Sequence, residues 1–169
     1  MVREATSGLR YNKGHPVTSF AQLKATRWMR RSIDLEKRMI NTAIELHDST
    51  LIAVREQDQI AVVELSACLH ESEGRPGRDH GSVWRQNVQI MIAGANVISN
   101  LMSLPDNIVD GLLVLGCEKL ENVFPVPQTF DGDCCIRLDF SNDKQLVING
   151  NSIHVTVHGG RQFKETFQA

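Results

Sequence analysis

IAVVELSACLH, at residues 60–70, alternates between apolar side chains and a mixed set with a period of two residues. Side chains of a β-strand point alternately to opposite faces, so this period is typical of a strand with one buried face. The face expected to be buried carries Ala61, Val63, Leu65, Ala67 and Leu69. The opposite face carries Val62, Glu64, Ser66, Cys68 and His70. This stretch predicts the clearest β-strand of the chain.

The same period recurs on both sides of this strand, in short apolar stretches separated by turn residues. His47-Asp48-Ser49-Thr50 has the composition of a turn, and Asn149-Gly150-Asn151 between alternating apolar residues predicts a hairpin. About eight short strands and almost no helix beyond residue 40 predict a mainly β protein, either an antiparallel β-sandwich or a partly closed barrel. Besides 60–70, the predicted strands lie near residues 44–46, 51–55, 85–98, 112–119, 134–140, 144–148 and 153–157.

Residues 1–38 differ from the rest of the chain in charge and in periodicity. They hold nine Lys or Arg against three Asp or Glu, a net charge of +6, whereas residues 39–169 hold nine against seventeen, a net charge of −8. From residue 19 to 38, apolar and basic side chains separate onto opposite faces at helical spacing, which predicts a basic amphipathic helix. Met39 is also a plausible start of the acidic β domain. Residues 1–38 are therefore a leader that either caps the single domain at 39–169 or does not belong to the native product.

Composition and charge argue against several classes of protein. The longest uncharged apolar run is too short for a transmembrane helix, and the N-terminus has no apolar stretch typical of a secretory signal. Four cysteines without a C-x-x-C pair then predict reduced thiols and a cytoplasmic location. Because the domain is acidic and most of its aromatic residues fall outside the predicted strands, we do not expect it to bind nucleic acid.

A polar stretch at residues 71–84, ESEGRPGRDHGSVW, is the main candidate for a functional site. It combines both signs of charge, three glycines and one aromatic residue, and long loops in compact domains are often functional. The side chains of the preceding strand that face the same way would extend the site. The candidate residues for binding a ligand or partner are Glu64, Ser66, His70, Glu71, Arg75, Arg78, Asp79, His80 and Trp84.

The alternative is a metal-binding or catalytic site. Cys68 and His70 face the same way in the predicted strand, and Asp79 and His80 of the following loop could fold back towards them. These residue types bind zinc, and a nucleophilic thiol needs an adjacent base. Their spacing matches no standard zinc module, however, and no other reaction motif is present. We therefore expect no cofactor and no catalytic residue.

Four pieces of sequence carry a resemblance to known proteins. They are ELHDS at 45–49, LHESEGRPGRDHGSVWRQ at 69–86, LPDNIVDGLLVLG at 104–116 and QLVINGNSIHVTVHG at 145–159. In these pieces the chain resembles a group of small bacterial all-β proteins for which no activity is established. Over residues 45–165, the resemblance implies a stand-alone bacterial cytoplasmic protein with a sheet-rich fold. It assigns no catalytic residue.

Together these observations predict a non-enzymatic binding protein that uses the 71–84 loop to hold a protein partner or a small ligand. The alternative function is that of a metal-binding protein or an enzyme that uses Cys68, His70, Asp79 and His80. A sheet with an open edge would also allow a homodimer.

Overall fold

The structure, a computed structural model, describes residues 42–76, 78–101, 103–141 and 143–167. These residues form nine strands, all paired antiparallel, and no helix, which confirms the prediction of a mainly β antiparallel protein. The amphipathic helix predicted at 19–38 lies outside the described residues. The strands are β1 (Thr42–Gln57), β2 (Ile60–Ser72), β3 (Gly81–Ala93), β4 (Asn96–Ser99), β5 (Asp106–Leu115), β6 (Glu118–Glu121), β7 (Val123–Pro125), β8 (Gln128–Phe140) and β9 (Gln145–Phe167).

The strands follow the order β6-β5-β8-β9-β3-β2-β1-β7, and β4 lies beside β9. β5 also pairs with β1 through Thr50–Asn107 and Leu51–Asp106, so six strands close into a ring. The first residues of β1 pair with β7 instead. β1 is therefore shared between two neighbours on one side, and the point at which it changes neighbour positions the candidate site.

The hydrophobic core fills the inside of this ring. The residues predicted for the buried face of β2 are indeed buried, with Ala61, Val63 and Ala67 fully inaccessible to solvent. They pack in one cluster with Ile44 and Leu46 of β1 and with apolar residues of the other long strands. The alternation at residues 60–70 therefore correctly predicts which face of β2 packs in the core.

The hairpin predicted at Asn149-Gly150-Asn151 is wrong, because β9 continues through these residues as one strand. Neither Asn149 nor Gly150 has a positive φ, which the usual two-residue hairpin turn with Asn-Gly requires at both residues. Gly150 serves a different purpose, because a Cβ placed there would overlap Ile92 Cγ2 and lie 2.7 Å from the carbonyl oxygen of Ala93. The glycine permits a close crossing of β9 over the end of β3.

Two further strand boundaries differ from the prediction. The strand predicted at 85–98 is divided at Gly94, which has φ 62°, into β3 and β4. The stretch at 120–132, which lies outside the predicted strands, contains the end of β6, all of β7 and the beginning of β8. Short strands of three or four residues carry too little alternation to be recognised in a sequence.

The last part of β9 has a partner on one side only. β8 pairs with β9 as far as Val155, and from there to Phe167 the only neighbour among the described residues is β3. The pairing with β3 is irregular, with register shifts between Val83 and Trp84 and between Arg85 and Asn87. The sheet therefore has an open, bulged edge here.

Candidate functional site

A large bulge in β1 lies where the pairing partner of this strand changes from β7 to β5. Four residues separate Glu45 from Thr50, whereas only Ala67 separates their partners Cys68 and Ser66 on β2. Residues 47–50, predicted as a turn, thus lie within a strand. Asp48 adopts φ 64°, a conformation that short polar residues tolerate better than most others.

Hydrogen bonds fix the shape of this bulge. The Ser49 hydroxyl donates to the carbonyl of Glu45 and accepts from the backbone N–H of Cys68 at 3.0 Å. The backbone N–H of Leu46 donates to the carbonyl of Asn122 at 2.7 Å. The buried Ser49 is thus fully engaged, and the bulge separates two cavities on the outer face of the sheet.

The candidate loop is shorter than predicted, because β2 extends to Ser72 and β3 begins at Gly81. It consists of residues 73–80, and its ends are joined by a hydrogen bond from the N–H of Glu73 to the carbonyl of His80. The Asp79 carboxylate accepts a hydrogen bond from the N–H of Arg75 at 2.5 Å, and this bond lowers the pKa of Asp79. These contacts link the described residues of the loop, 73–76 and 78–80, to one another at the end of β2.

The first cavity, here called the loop cavity, lies between this loop and the sheet. It has a volume of about 390 Å³ and is lined by Glu45, His70, Arg75, Pro76, Arg78, Glu121 and Val123. The cavity therefore joins two cations of the loop to residues of β1, β2, β6 and β7.

A pair of titratable side chains forms the floor of the loop cavity. His70 Nε2 lies 2.5 Å from Glu45 Oε2, and this hydrogen bond lowers the pKa of the Glu45 carboxyl. His70 Nδ1 is buried and has no hydrogen-bond partner among the described residues, as is also true of the Ser72 hydroxyl. The His70 ring packs against Phe167 near the end of β9, at a centroid distance of 5.5 Å.

The second cavity, here called the bulge cavity, lies on the other side of the bulge. It has a volume of about 440 Å³ and is lined by Asp48, Thr50, Cys68, Val83, Arg85, Asn107, Ile108, Lys164 and Glu165. Burial raises the pKa of the Cys68 thiol, and the nearby Arg85 guanidinium opposes this shift. Cys68 is therefore a protonated thiol at neutral pH rather than a reactive thiolate.

The structure brings together only some of the predicted binding residues. His70, Arg75 and Arg78 line the loop cavity, and Asp79 positions Arg75. Glu64 lies further along β2 and pairs with Arg55 of β1. The Ser66 carbonyl accepts a hydrogen bond from Arg85. His80 is exposed and holds the loop through its backbone.

Trp84 lies on the face of β3 opposite to Arg85 and outside both cavities. It packs against the core and against Phe163, with ring centroids 5.2 Å apart. The Arg161 guanidinium stacks 4.2 Å from the centre of its ring and also pairs with Glu71. Trp84 and Glu71 therefore stabilise the junction of β3 with β9.

The alternative metal set is Cys68, His70, Asp79 and His80. Within the described ranges, no three His, Cys, Asp or Glu side chains are grouped so that they could hold a metal ion. His70 is directed to Glu45 and Asp79 to Arg75, while Cys68 faces the bulge cavity. These contacts account for three of the four side chains without a metal.

Sequence reasoning missed several lining residues. Glu45 lies in the predicted strand at 44–46 and faces outward between the buried Ile44 and Leu46, but only the pairing of β1 with β2 places it beside His70. Glu121 and Val123 come from strands too short to be recognised. Arg85 lies on β3 and Lys164 near the end of β9, with five strands between them in the chain, and nothing in their spacing indicates that they share a cavity.

Comparison of the chain with protein-family models, with curated proteins and with solved structures finds no match. The described residues include no helix that is long and apolar enough to span a membrane. The geometry of the two cavities is therefore the basis for any functional conclusion.

Proposed function

We propose that this protein is a non-enzymatic binding protein that holds a small polar ligand in the loop cavity. The observation that carries the proposal is the position of Arg75 and Arg78, which the loop holds over the Glu45–His70 pair around a space of about 390 Å³. Cavities of roughly 300–1,000 Å³ are the usual size for small-molecule sites. A half-open cavity of this size can hold a small ligand.

The lining indicates the chemistry of the ligand. Arg78 offers positive charge and hydrogen-bond donors, and Arg75 adds donors although its Nε lies 3.5 Å from Asp79 Oδ2. Glu45 and Glu121 offer carboxylates. Pro76 and Val123 add a small apolar surface. A zwitterionic molecule, with an anionic group near the arginines and a cationic group near the carboxylates, matches this arrangement.

Two features support binding rather than catalysis. The lowered pKa of Glu45 keeps its carboxylate ionised at neutral pH, whereas a general base works best with a pKa near the working pH. The hydrogen bonds within the loop also fix its conformation before a ligand arrives, which reduces the entropy lost on binding. The site is thus organised as a fixed set of charges.

We also propose that the fold is a partly closed barrel and that the protein is cytoplasmic. The ring of six strands closed by the β1–β5 pairing supports a partly closed barrel. The four cysteines, Cys68, Cys117, Cys134 and Cys135, are all free, which supports a reducing cytoplasm.

A thermal-shift experiment with the common free amino acids as probes tests the binding function. A ligand at about 100 times its Kd stabilises a protein by about 2.7 kcal/mol, which raises the unfolding midpoint by about 8 °C at about 3 °C per kcal/mol. We expect at least one amino acid to stabilise the wild-type chain and the Arg78→Gln variant to lose this shift. Calorimetry then measures the Kd directly.

Arg55→Gln is the matched control, because it removes the same charge from an exposed site about 20 Å along the sheet from Glu45. It should keep the full ligand-induced shift. If no amino acid binds, or if both variants respond alike, the small-ligand proposal is wrong. If a protein partner binds and its binding requires Arg78, the result would instead indicate that the loop binds a protein.

A further inference from the structure

The bulge cavity is lined by two cationic side chains that do not line the loop cavity. Arg85 lies on β3, and Lys164 lies at a register shift of β9. Neither side chain has a carboxylate within 4 Å among the described residues, although most arginines in this part of the chain pair with one. Their positive charge is therefore available to a ligand.

Arg85 is held in place by neutral groups. Its guanidinium donates hydrogen bonds to the carbonyls of Asp48 at 2.9 Å and Ser66 at 3.2 Å, and it lies 3.4 Å from the Cys68 sulfur. These contacts use three of its five N–H donors and none of them neutralises its charge. Arg85 is thus fixed in position while still carrying a full positive charge beside the cavity.

Asn107 adds a neutral donor to the lining of the cavity. The Thr50 hydroxyl donates to Asn107 Oδ1 at 2.9 Å, so the NH₂ group of the amide can donate to a ligand. The cavity also has two acidic side chains, Asp48 and Glu165. The Asp48 carboxylate is 74% exposed and lies 3.6 Å from His47 Nε2.

We propose that the bulge cavity is a second binding site, which takes an oxyanion, that is, a phosphate or carboxylate group of a small molecule. Arg85 and Lys164 neutralise the anion, and the Asn107 amide donates a further hydrogen bond. Arginine suits planar and tetrahedral oxyanions because its donors form a rigid fork. The site is independent of the proposed loop-cavity ligand, because the two cavities share no lining residue.

Calorimetric titration of the full chain with inorganic phosphate and, separately, with acetate tests this proposal at low ionic strength. We expect saturable binding of phosphate that Lys164→Gln weakens by about tenfold, the typical effect of losing one charged hydrogen bond. Asn107→Asp should weaken it at least as much, because it introduces a negative charge. If acetate competes with phosphate, the ligands of this site include carboxylates. If phosphate alone binds, the ligands are restricted to phosphoryl groups.

Lys119→Gln, in β6, is the matched control, because it removes the same charge from an exposed side chain outside the cavity. It should change the affinity for phosphate by less than about twofold, since separated surface charges are screened. Arg78→Gln should also leave phosphate binding unchanged, which separates this site from the loop cavity. The absence of saturable binding to either anion, or equal weakening by the two lysine variants, would overturn the proposal.

Discussion

Replacing Gly150 with alanine tests the most unexpected feature of the fold, the straight passage of β9 through an Asn-Gly sequence. The new Cβ would overlap Ile92 Cγ2 and lie 2.7 Å from the carbonyl oxygen of Ala93. Overpacking of this kind typically destabilises a protein by about 1–3 kcal/mol. Because a backbone oxygen cannot rotate away, we expect a loss of about 3 kcal/mol, and a fall in the unfolding midpoint of about 9 °C.

Gly160→Ala is the matched control on the same strand. No atom lies within 4 Å of the Cβ that this change would add, and Gly160 does not have a positive φ. We therefore expect its free energy of unfolding to be unchanged, or raised by up to about 1 kcal/mol through the unfolded chain. Urea denaturation of both variants measures the difference.

A third variant, Asn149→Thr, distinguishes the strand from the hairpin turn. In β9, Asn149 is exposed and pairs with Asn96 and Cys135, so a β-branched residue should change the free energy of unfolding by less than about 0.5 kcal/mol. In a hairpin turn that needs a positive φ, the same change would be clearly destabilising. A destabilising Asn149→Thr together with a mild Gly150→Ala would refute the reasoning.

Three further predictions concern other parts of the molecule. The hydrogen bond with His70 lowers the pKa of the Glu45 carboxyl. The ionised Glu45 therefore stabilises the fold above the pKa of the unfolded state, and this stabilisation is lost as the pH falls through the folded pKa. In urea denaturation at several pH values, Glu45→Gln should differ most from wild type above about pH 5 and converge with it in acid. Phe163→Ala should lower the free energy of unfolding by about 1 kcal/mol and shift the fluorescence of Trp84, and unchanged emission would contradict the contact between their rings. In thiol labelling of the native protein, Cys117 should react first because it is exposed, whereas burial raises the pKa of the other three cysteines; peptide mapping that finds a buried thiol labelled first would contradict this order.

The sequence predicts the fold where burial alternates over many residues, and fails where a residue depends on distant contacts. The period of two at 60–70 identifies β2 correctly because one face of that strand packs against a continuous core. Asn149-Gly150 misleads because its glycine is required by the approach of Ile92 and Ala93, more than fifty residues earlier in the chain. A local pattern contains no information about such a crossing.

The candidate site was predictable in part for the same reason. His70, Arg75 and Arg78 are neighbours in the chain, so a strand followed by a polar loop was enough to place them together. Glu45 and Glu121 join them only through the order and register of the strands, which cannot be read from a single sequence. The bulge cavity depends on the same tertiary arrangement.

The edge of β9 that has no partner strand among the described residues bears on how the protein behaves at high concentration. A straight edge strand presents evenly spaced N–H and C=O groups and can recruit a second chain into an aggregate. Between Asn87 and Val83 the two register shifts interrupt that spacing, and Arg161 and Lys164 place cations beside the interruption. A straight incoming strand could match only a few consecutive backbone groups, so irregular pairing at this end acts as protection against uncontrolled self-assembly.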